Sequence, residues 1–163
     1  MAIEGVEQPE YIQIDETLRL RRYDGTADFA LPWYQDEEMV YLVDGVKKAY
    51  DREHLYDMYT WLNAHGELYF IEALEEAAWT PIGDVTFSRE DMPIVIGESV
   101  FRGRGAGRKV IRALVDRGRV LGYDKLGGKE IYDWNADSIR CFTACGFAPV
   151  ERTERGWRYE AKL

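Results

Sequence analysis

The segment Phe101–Val115, FRGRGAGRKVIRALV, decides the fold. Residues 102–109 hold four basic residues and three glycines, Gly103, Gly105 and Gly107, and the residues that follow have the apolar spacing of a helix. Glycine lets the backbone approach a ligand closely. The free N–H groups of a first helical turn and the helix dipole both attract anions. We therefore predict a phosphate-binding loop that lies between a strand and a helix.

Spacing excludes two familiar phosphate-binding motifs. A P-loop requires GxxxxGK[ST], and no Lys-Ser or Lys-Thr pair follows these glycines. A dinucleotide fingerprint requires GxGxxG, and Arg108 stands where its last glycine is needed. The spacing that is present is R-x-x-G-x-G, from Arg102 through Gly105 to Gly107.

Charge is unevenly distributed along the chain. The net charge of -9 argues against nucleic acid as a partner, because duplex binding depends on basic surface. Residues 102–119 nevertheless hold seven basic residues against one acid, Asp116, which gives this segment +6 and leaves -15 for the rest. One local anion site is therefore expected in an otherwise acidic protein.

The composition predicts a single domain over residues 1–163, with 46% hydrophobic and 31% charged residues. No apolar run reaches the roughly 18 residues of a membrane helix, so no membrane partner is expected. The start, MAIEGVEQPE, lacks the basic and apolar segments of a secretory signal, and we expect a cytoplasmic protein. Cys141 and Cys145 have no CxxC or His cluster beside them, so no metal is expected.

Hydrophobic periodicity predicts the element order β-α-α-β-β-β-α-β-α-β-β. The predicted strands cover residues 16–23, 67–74, 80–88, 93–100, 129–134, 147–153 and 156–163. The predicted helices cover residues 32–45, 51–66, the stretch after the glycine loop up to Gly122, and 137–146. We place helix N-caps at Asp36 and Asp137 and a left-handed C-cap at Gly66.

A second signature follows the glycine loop. In EIYDWNADSIRCFTACGF, residues 130–147, a strand leads to Asn135 and then to a helix that ends in Gly146-Phe147. In this order and spacing, the two signatures resemble the GCN5-related N-acetyltransferase (GNAT) superfamily over residues 94–147. The Asn-x-x-Ser spelling and residues 32–45 are similar to the branch of ribosomal-protein alanine and aminoglycoside 6'-acetyltransferases. The resemblance implies an α+β fold, with a mixed, mostly antiparallel central sheet of six to seven strands and about four helices.

The resemblance also implies which residues hold acetyl-CoA, the acetyl donor. The loop backbone would cradle the pyrophosphate, and Asn135 and Ser138 would contact the pantetheine arm. A main-chain N–H between Ile96 and Glu98 would meet the tetrahedral oxyanion, and a glycine inside a strand, Gly97, is typical of a bulge. The implied donor-binding residues are Ile96, Gly97, Arg102, Gly103, Arg104, Gly105, Ala106, Gly107, Arg108, Asn135 and Ser138.

Three carboxylates are the main candidates for the general base that takes the amine proton, and Asp133 is a weaker fourth. Glu130 stands where some superfamily members carry a catalytic Glu; alternatively, it is a solvent-exposed strand carboxylate paired with Lys129 or Lys125. Glu98 and Asp84 compete with it, because an acid in a central strand is costly unless it is paired or faces a cleft.

One position departs from the superfamily pattern. Many members have a tyrosine four residues before the Gly of the closing Gly-Phe, and this chain has Phe142 there. The leaving thiolate therefore departs without a proton donor, or another group such as Tyr132 or water serves.

The resemblance implies that the first two helices, in the segment from Asp28 to Leu62, form the acceptor side. This segment holds eight aromatic residues and eight acids against three basic residues, and aromatic faces and carboxylates both favour a cation. We predict that Trp33, Tyr34 and Asp36 contact the acceptor. The alternative is that the aromatics pack in the core and the acids face water.

The resemblance implies an N-acetyltransferase that moves the acetyl group of acetyl-CoA directly to a primary amine. The expected acceptor is a small cationic amine such as an aminoglycoside or a polyamine, and the alternative is a protein N-terminus, as in ribosomal-protein acetylation. Rivals from other classes are a non-catalytic acyl-CoA-binding module, which Phe142 supports, and a nucleotide-binding domain. A homodimer is compatible with the sequence.

Overall fold

The computed structural model describes residues 2–163, which form eight strands and five α-helices. The strands are β1 (Tyr11–Gln13), β2 (Leu18–Arg22), β3 (Glu67–Glu75), β4 (Ala78–Phe87), β5 (Ile94–Ile96), β6 (Lys125–Tyr132), β7 (Ala148–Arg152) and β8 (Gly156–Lys162). The helices are α1 (Leu31–Tyr34), α2 (Glu37–Asp44), α3 (Arg52–His65), α4 (Ala106–Val120) and α5 (Ala136–Ala144). Short 3-10 helices cover Asp28–Ala30 and Ser99–Phe101.

The strands form two antiparallel sheets instead of one. The first has the order β1-β2-β3-β4-β5 and the second the order β6-β8-β7. The predicted α+β class with mostly antiparallel strands is confirmed, while the eight strands and five helices exceed the six to seven strands and about four helices expected. Within residues 2–163, β5 and β6 share no ladder, and residues of both strands line the cavities described below. The gap between these two strands therefore positions the site.

Strand β3 is buried on both faces because two apolar clusters cover the first sheet. Tyr69 and Ile71 belong to the cluster that includes the buried side of α4, while Leu68 and Phe70 belong to the cluster under α1, α2 and α3. Successive side chains of a strand point to opposite faces, so neighbouring residues of β3 belong to different clusters. The first sheet thus lies between α4 on one side and α1–α3 on the other.

Helix ends show where local sequence signals succeed and fail. Asp36 caps α2 as predicted, accepting hydrogen bonds from the N–H groups of Glu38 and Met39. The predicted cap at Asp137 is wrong, because Asn135 accepts the N–H of Ser138 and begins α5 two residues earlier.

The left-handed C-cap expected at Gly66 is also wrong. Gly66 has φ -173° and ψ -176°, which is extended backbone, because the chain runs from α3 straight into β3. The glycine is needed for a different reason: a Cβ there would lie 2.8 Å from the carbonyl oxygen of Phe87 and from Thr86 Cγ2. Close approach between strands, and not a turn, selects the residue.

Among residues 2–163, no helix combines the length and the apolar character needed to cross a bilayer. The same residues contain no group of three or more His, Cys, Asp or Glu side chains placed to hold a metal ion.

Candidate active site

Two adjoining cavities open at the gap between β5 and β6. The first, of about 280 Å³, is lined by the glycine loop and the start of α5. The second, of about 240 Å³, is lined by α1–α3, β4 and β6. The two share a wall formed by Leu42, Val43, Ile94, Val95, Asn135 and Ser138. A molecule in one cavity would therefore lie next to a molecule in the other.

The two cavities carry opposite charge. The first is lined by three arginines, Arg102, Arg108 and Arg140, against Asp137, and we call it the basic cavity. The second is lined by four acids and, among the described residues, by no Lys, Arg or His; we call it the acidic cavity. Its acids are Asp44, Asp84, Asp91 and Glu130. An anion is thus favoured on one side of the shared wall and a cation on the other.

The glycine loop opens α4 at the basic cavity, as predicted. Gly103 and Gly105 have φ of +72° and +84°, a left-handed conformation that favours glycine. Gly105 is the N-cap of α4 and provides no side-chain acceptor, and the first main-chain bond of the helix runs from Lys109 N–H to the Gly105 carbonyl. The N–H groups of Ala106 and Gly107, which line the cavity, are therefore available to an anion.

The arginines of the loop have different positions. Arg102 donates from Nε to the carbonyl of Ile96 at 2.7 Å and from Nη2 to that of Gly97 at 3.2 Å, so it fastens the loop to β5. Arg104 bonds back to the carbonyl of Val100 and does not line either cavity. Arg108 is exposed at the basic cavity, so its guanidinium is the one best placed to contact a bound anion.

The expected bulge lies at the end of β5. The N–H groups of Gly97 and Glu98 both donate to the carbonyl of Ile82, at 2.7 and 3.0 Å. In an antiparallel ladder the next pair, Gly83 and Ile96, turns its N–H and C=O groups away from the partner strand. Ile96 is therefore the residue of the predicted stretch whose N–H faces the gap, whereas the other two amides are already bonded.

Asn135 lies in the shared wall and connects two helices, α5 and α2. It is buried; its Oδ1 accepts the N–H of Ser138 at 3.3 Å, and its Nδ2 donates to the carbonyl of Leu42 at 3.2 Å. The amide thus caps α5 and ties it to the end of α2. Ser138 lines both cavities, as its predicted contact with a pantetheine arm requires.

Asp84 is buried in β4, with 3% of its surface exposed. Its Oδ2 accepts hydrogen bonds from the hydroxyls of Tyr34 and Tyr59, both at 2.7 Å. Among residues 2–163, no group donates to its other oxygen, Oδ1, and the residue lines the acidic cavity. Burial raises the pKa of Asp84 to about 6, although the two phenol hydrogen bonds oppose that shift.

The other two candidate bases differ in position. Glu98 is exposed, accepts the indole N–H of Trp33 at 2.8 Å, and lines neither cavity. Glu130 is exposed beside the irregularity in β6 and lines the acidic cavity. The pairing of Glu130 with Lys125 or Lys129 does not occur among residues 2–163, since Lys125 pairs with Glu160. Asp84 and Glu130 therefore share the acidic cavity.

Of the three predicted acceptor contacts, only Tyr34 lines a cavity. Trp33 is buried against Gly97, and Asp36 is an exposed helix cap, so the structure gives both of them structural positions instead. For Trp33, the alternative interpretation of a core aromatic holds.

Sequence reasoning missed several groups of the acidic cavity. Tyr50 donates its hydroxyl to Asp44 and packs 5.0 Å from the ring of Tyr34. Asp91 accepts the N–H of Lys129 at 3.0 Å, and burial raises the pKa of its carboxyl. Asp44 and Tyr50 belong to the segment rich in acids and aromatics, but its pattern does not reveal which side chains meet. Asp91, in a loop, carried no signal.

The aromatic end of the acidic cavity includes the residue that departs from the superfamily pattern. Phe142 is buried and packs edge-on against Phe147 at 5.1 Å. Tyr132 also lines this cavity and stacks on Trp134 at 4.7 Å. Burial, followed by the charge of Glu130, raises the pKa of Tyr132, so its hydroxyl keeps its proton at neutral pH.

Solved structures share this fold. An acetyltransferase of the GNAT family from Bacillus anthracis matches with a TM-score of 0.73 and 13% identity, covering 93% of this chain and 98% of that one. The aminoglycoside acetyltransferase AAC(6')-Ib in complex with coenzyme A gives 0.70 and 16%, covering 89% and 94%. Spermidine N-acetyltransferase from Vibrio cholerae, in complex with CoA and spermine, gives 0.69 and 18%, covering 91% and 96%.

Sequence comparison extends the likeness to family membership. No curated protein sequence gives a significant match. The profile of the acetyltransferase (GNAT) family matches residues 27–147, which is more than two thirds of the chain and includes the glycine loop and both cavities' shared wall. Acetyltransferases of this family use acetyl-CoA, and a basic cavity at a glycine-rich helix start suits that donor. The chain belongs to the GNAT family and is an acetyltransferase.

Proposed function

We propose that this enzyme transfers the acetyl group of acetyl-CoA directly to a primary amine of a small cationic acceptor. The observation that carries the proposal is the separation of charge across one wall: arginines line the basic cavity and four acids line the acidic cavity. An anionic donor and a cationic acceptor would each be attracted to one side, and their reacting groups would meet at the wall.

The donor side has the groups that a pyrophosphate needs. The N–H groups of Ala106 and Gly107 are free of helical partners, and Arg108 supplies a guanidinium. Asn135 and Ser138 lie in the shared wall, where the pantetheine arm would pass. The N–H of Ile96 is available to the oxygen that becomes negatively charged during transfer.

The acceptor side suits an amine that carries more than one positive charge. Its acids come from α2, β4, β6 and the β4–β5 loop, and aromatic rings of Tyr34, Tyr50 and Tyr132 line the same space. Carboxylates and aromatic faces both stabilise ammonium groups. Aminoglycosides and polyamines, the ligands of two structures with this fold, have this chemistry.

Acetyl transfer then proceeds as follows. The acidic cavity binds the ammonium, and one of its carboxylates removes a proton so that the amine becomes nucleophilic. The nitrogen attacks the acetyl carbon while the oxyanion is met by the N–H of Ile96. The thiolate leaves as the C–S bond breaks. Phe142 has no proton to give, so Tyr132 or water protonates the thiolate if any group does.

An acceptor panel tests the proposal. The enzyme is incubated with acetyl-CoA and either spermidine, spermine, ribostamycin, or peptides with a free N-terminal alanine or serine, and CoA release and product mass are followed. We expect at least one small polyamine or aminoglycoside to gain an acetyl group well above the rate of acetyl-CoA hydrolysis. Acetylation of the peptides alone would instead establish a protein N-terminal acetyltransferase. CoA binding without any acetylation would indicate a non-catalytic module.

A further inference from the structure

We infer that Asp84 is the catalytic base that takes a proton from the acceptor ammonium, and that Tyr34 and Tyr59 are its positioning residues. The inference rests on the proposed function for the reaction itself. It adds which of the acids in the cavity performs the proton transfer.

The register of the first sheet places Asp84 beside the shared wall of the two cavities. Asp84 on β4 pairs with Val95 on β5, so the two side chains lie on the same face of the sheet, with Cβ atoms about 5 Å apart. Val95 lines both cavities. The carboxylate is therefore one cross-strand neighbour from the wall at which an acetyl donor and an amine would meet.

The hydrogen bonds of Asp84 leave one oxygen free for chemistry. The hydroxyls of Tyr34 and Tyr59 both donate to Oδ2 and hold the carboxylate in one orientation. Oδ1 has no donor among residues 2–163, although Asp84 is almost fully buried and lines the acidic cavity. Thr86 Oγ1 is the one fully buried side-chain polar atom without a partner among residues 2–163, so Oδ1 of Asp84 is accessible from the acidic cavity, where a ligand can supply a donor. An ammonium N–H is a suitable donor.

The remaining acids of the cavity are less suited to the role. Asp44 accepts the hydroxyl of Tyr50, and Asp91 accepts a main-chain N–H. Glu130 is exposed, so solvent screens it, and Glu98 lies outside both cavities. Asp44, Asp91 and Glu130 are therefore better suited to hold other positive charges of the acceptor than to remove a proton at the shared wall.

The surroundings set the proton affinity of Asp84. Its neighbouring polar groups come from every element packed around it. Tyr34 of α1 and Tyr59 of α3 donate to it, and the acidic cavity adds Asp44 of α2, Tyr50 before α3, Asp91 of the β4–β5 loop and Glu130 of β6. None of them is basic. Burial raises the pKa of Asp84 to about 6, so near neutral pH it is ionised and yet a stronger base than an exposed aspartate.

The step balances as follows. The carboxylate of Asp84 takes one proton from R–NH₃⁺ and leaves the neutral amine. The nitrogen lone pair forms the C–N bond to the acetyl carbon, and the C–S bond then breaks to expel the CoA thiolate. The nitrogen releases its second proton to water, and the thiolate takes a proton from water or from Tyr132, which solvent reprotonates; the products are the acetamide and CoA. Asp84 returns its proton to solvent.

The first test is Asp84→Asn, assayed with whichever of spermidine or ribostamycin the wild type acetylates. We expect kcat to fall about 100-fold or more, the range of lost general-base catalysis, while KM for acetyl-CoA stays within about threefold. Asp57→Asn, which removes an exposed carboxylate of α3 outside both cavities, is the matched control and keeps wild-type kcat. Stabilisation of the variant by CoA in a thermal melt shows that it is folded.

The second test is the pH profile of kcat/KM for the acceptor, which reports ionisations of the free enzyme. In the wild type, kcat/KM should fall below about pH 6 as Asp84 becomes protonated. Tyr59→Phe removes one donor to the carboxylate and so disfavours its charged form, and we expect the acidic limb to move up by roughly one pH unit. A purely structural Tyr59 would change the melting temperature and leave the limb in place. This variant also decides the matter if Asp84→Asn does not fold.

Two results would overturn the inference while leaving the proposed function intact. One is wild-type kcat in Asp84→Asn. The other is an acidic limb that is unmoved in Tyr59→Phe and disappears in Glu130→Gln, which would transfer the role to Glu130. If the wild type acetylates no amine of the panel, the proposed function fails instead.

Discussion

The indole of Trp33 lies directly on the backbone of Gly97, so that a Cβ at Gly97 would come within 2.2 Å of two ring atoms. The same indole donates its N–H to Glu98 at 2.8 Å. Trp33 thus covers the bulge whose neighbour, Ile96, presents its N–H to the gap. The segment before the glycine loop is held from both sides, by Trp33 on one and by Arg102 on the other.

Gly97→Ala should therefore damage both stability and catalysis. Overpacking of this kind costs about 1–3 kcal/mol, and displacement of the bulge would misplace the N–H of Ile96. We expect a lower melting temperature and a kcat reduced at least tenfold. Gly128→Ala is the matched control for stability, because a Cβ there meets only Tyr159 Cβ, at 4.0 Å. Equal melting temperatures for the two variants would contradict the close packing of the Trp33 indole on Gly97.

Substitutions of Arg108 and Arg102 should change different kinetic constants. Arg108 is exposed at the basic cavity, so Arg108→Ala should raise KM for acetyl-CoA about tenfold, as expected for a lost charge-assisted hydrogen bond, with a small change in kcat. Arg102→Ala frees the carbonyls of Ile96 and Gly97 and should lower kcat more than it raises KM. Steady-state kinetics with varied acetyl-CoA measures both, and the reverse pattern would make Arg102 the phosphate contact.

The sequence was most informative where function depends on local backbone. Gly103 and Gly105 adopt the left-handed conformations that a glycine-rich loop suggests, and the stripe on α4 packs as its spacing predicts. Contacts between distant segments left no such pattern. Trp33 and Glu98 are 65 residues apart, and Asp84 is 50 residues from Tyr34. A carboxylate in a central strand indicates that a charged group is buried at a cost in free energy. The sequence does not show which groups form hydrogen bonds with it, because they come from distant segments.

Asn135 should show two separable functions. Asn135→Asp keeps an oxygen to cap α5 but loses the N–H that donates to the carbonyl of Leu42, and it adds a negative charge to the wall. Asn135→Ala loses both bonds. We expect Ala to cost about 1–2 kcal/mol from the lost cap and Asp to cost less, with the larger KM for acetyl-CoA in Asp. Chemical denaturation and donor kinetics measure the two, and a less stable Asp variant would be inconsistent with the cap.

Phe142→Ala tests the residue that replaces the usual tyrosine. Its ring is buried and packs on Phe147, so its removal should destabilise the protein by about 3–5 kcal/mol and weaken donor binding at the adjoining wall. Because Phe142 has no proton to give, the basic limb of the kcat profile should keep its position. Phe142→Leu should show a smaller loss of stability. A shifted basic limb with unchanged stability would mean that this position acts in proton transfer.

Asp84 should also make the enzyme less stable than it could be. Its pKa rises from an ordinary 3.8 to about 6 on folding because burial disfavours the charged form. Between these values the folded state binds more protons than the unfolded state, so this group's contribution to stability falls as pH rises from about 4 to 6.

Asp84→Asn removes that loss of stability, since an amide carries no charge at pH 4 or at pH 7. At pH 7 the variant should unfold with a free energy larger by about 1–3 kcal/mol, an upper range set by two units of pKa. At pH 4 the difference should vanish. Urea denaturation at both pH values measures this difference in unfolding free energy.

A variant that is less stable than the wild type at pH 7 would show that the phenol hydrogen bonds of Tyr34 and Tyr59 outweigh the burial of the charge. Greater stability together with lost activity would mean that the buried carboxylate is retained for its chemistry, at the expense of the fold.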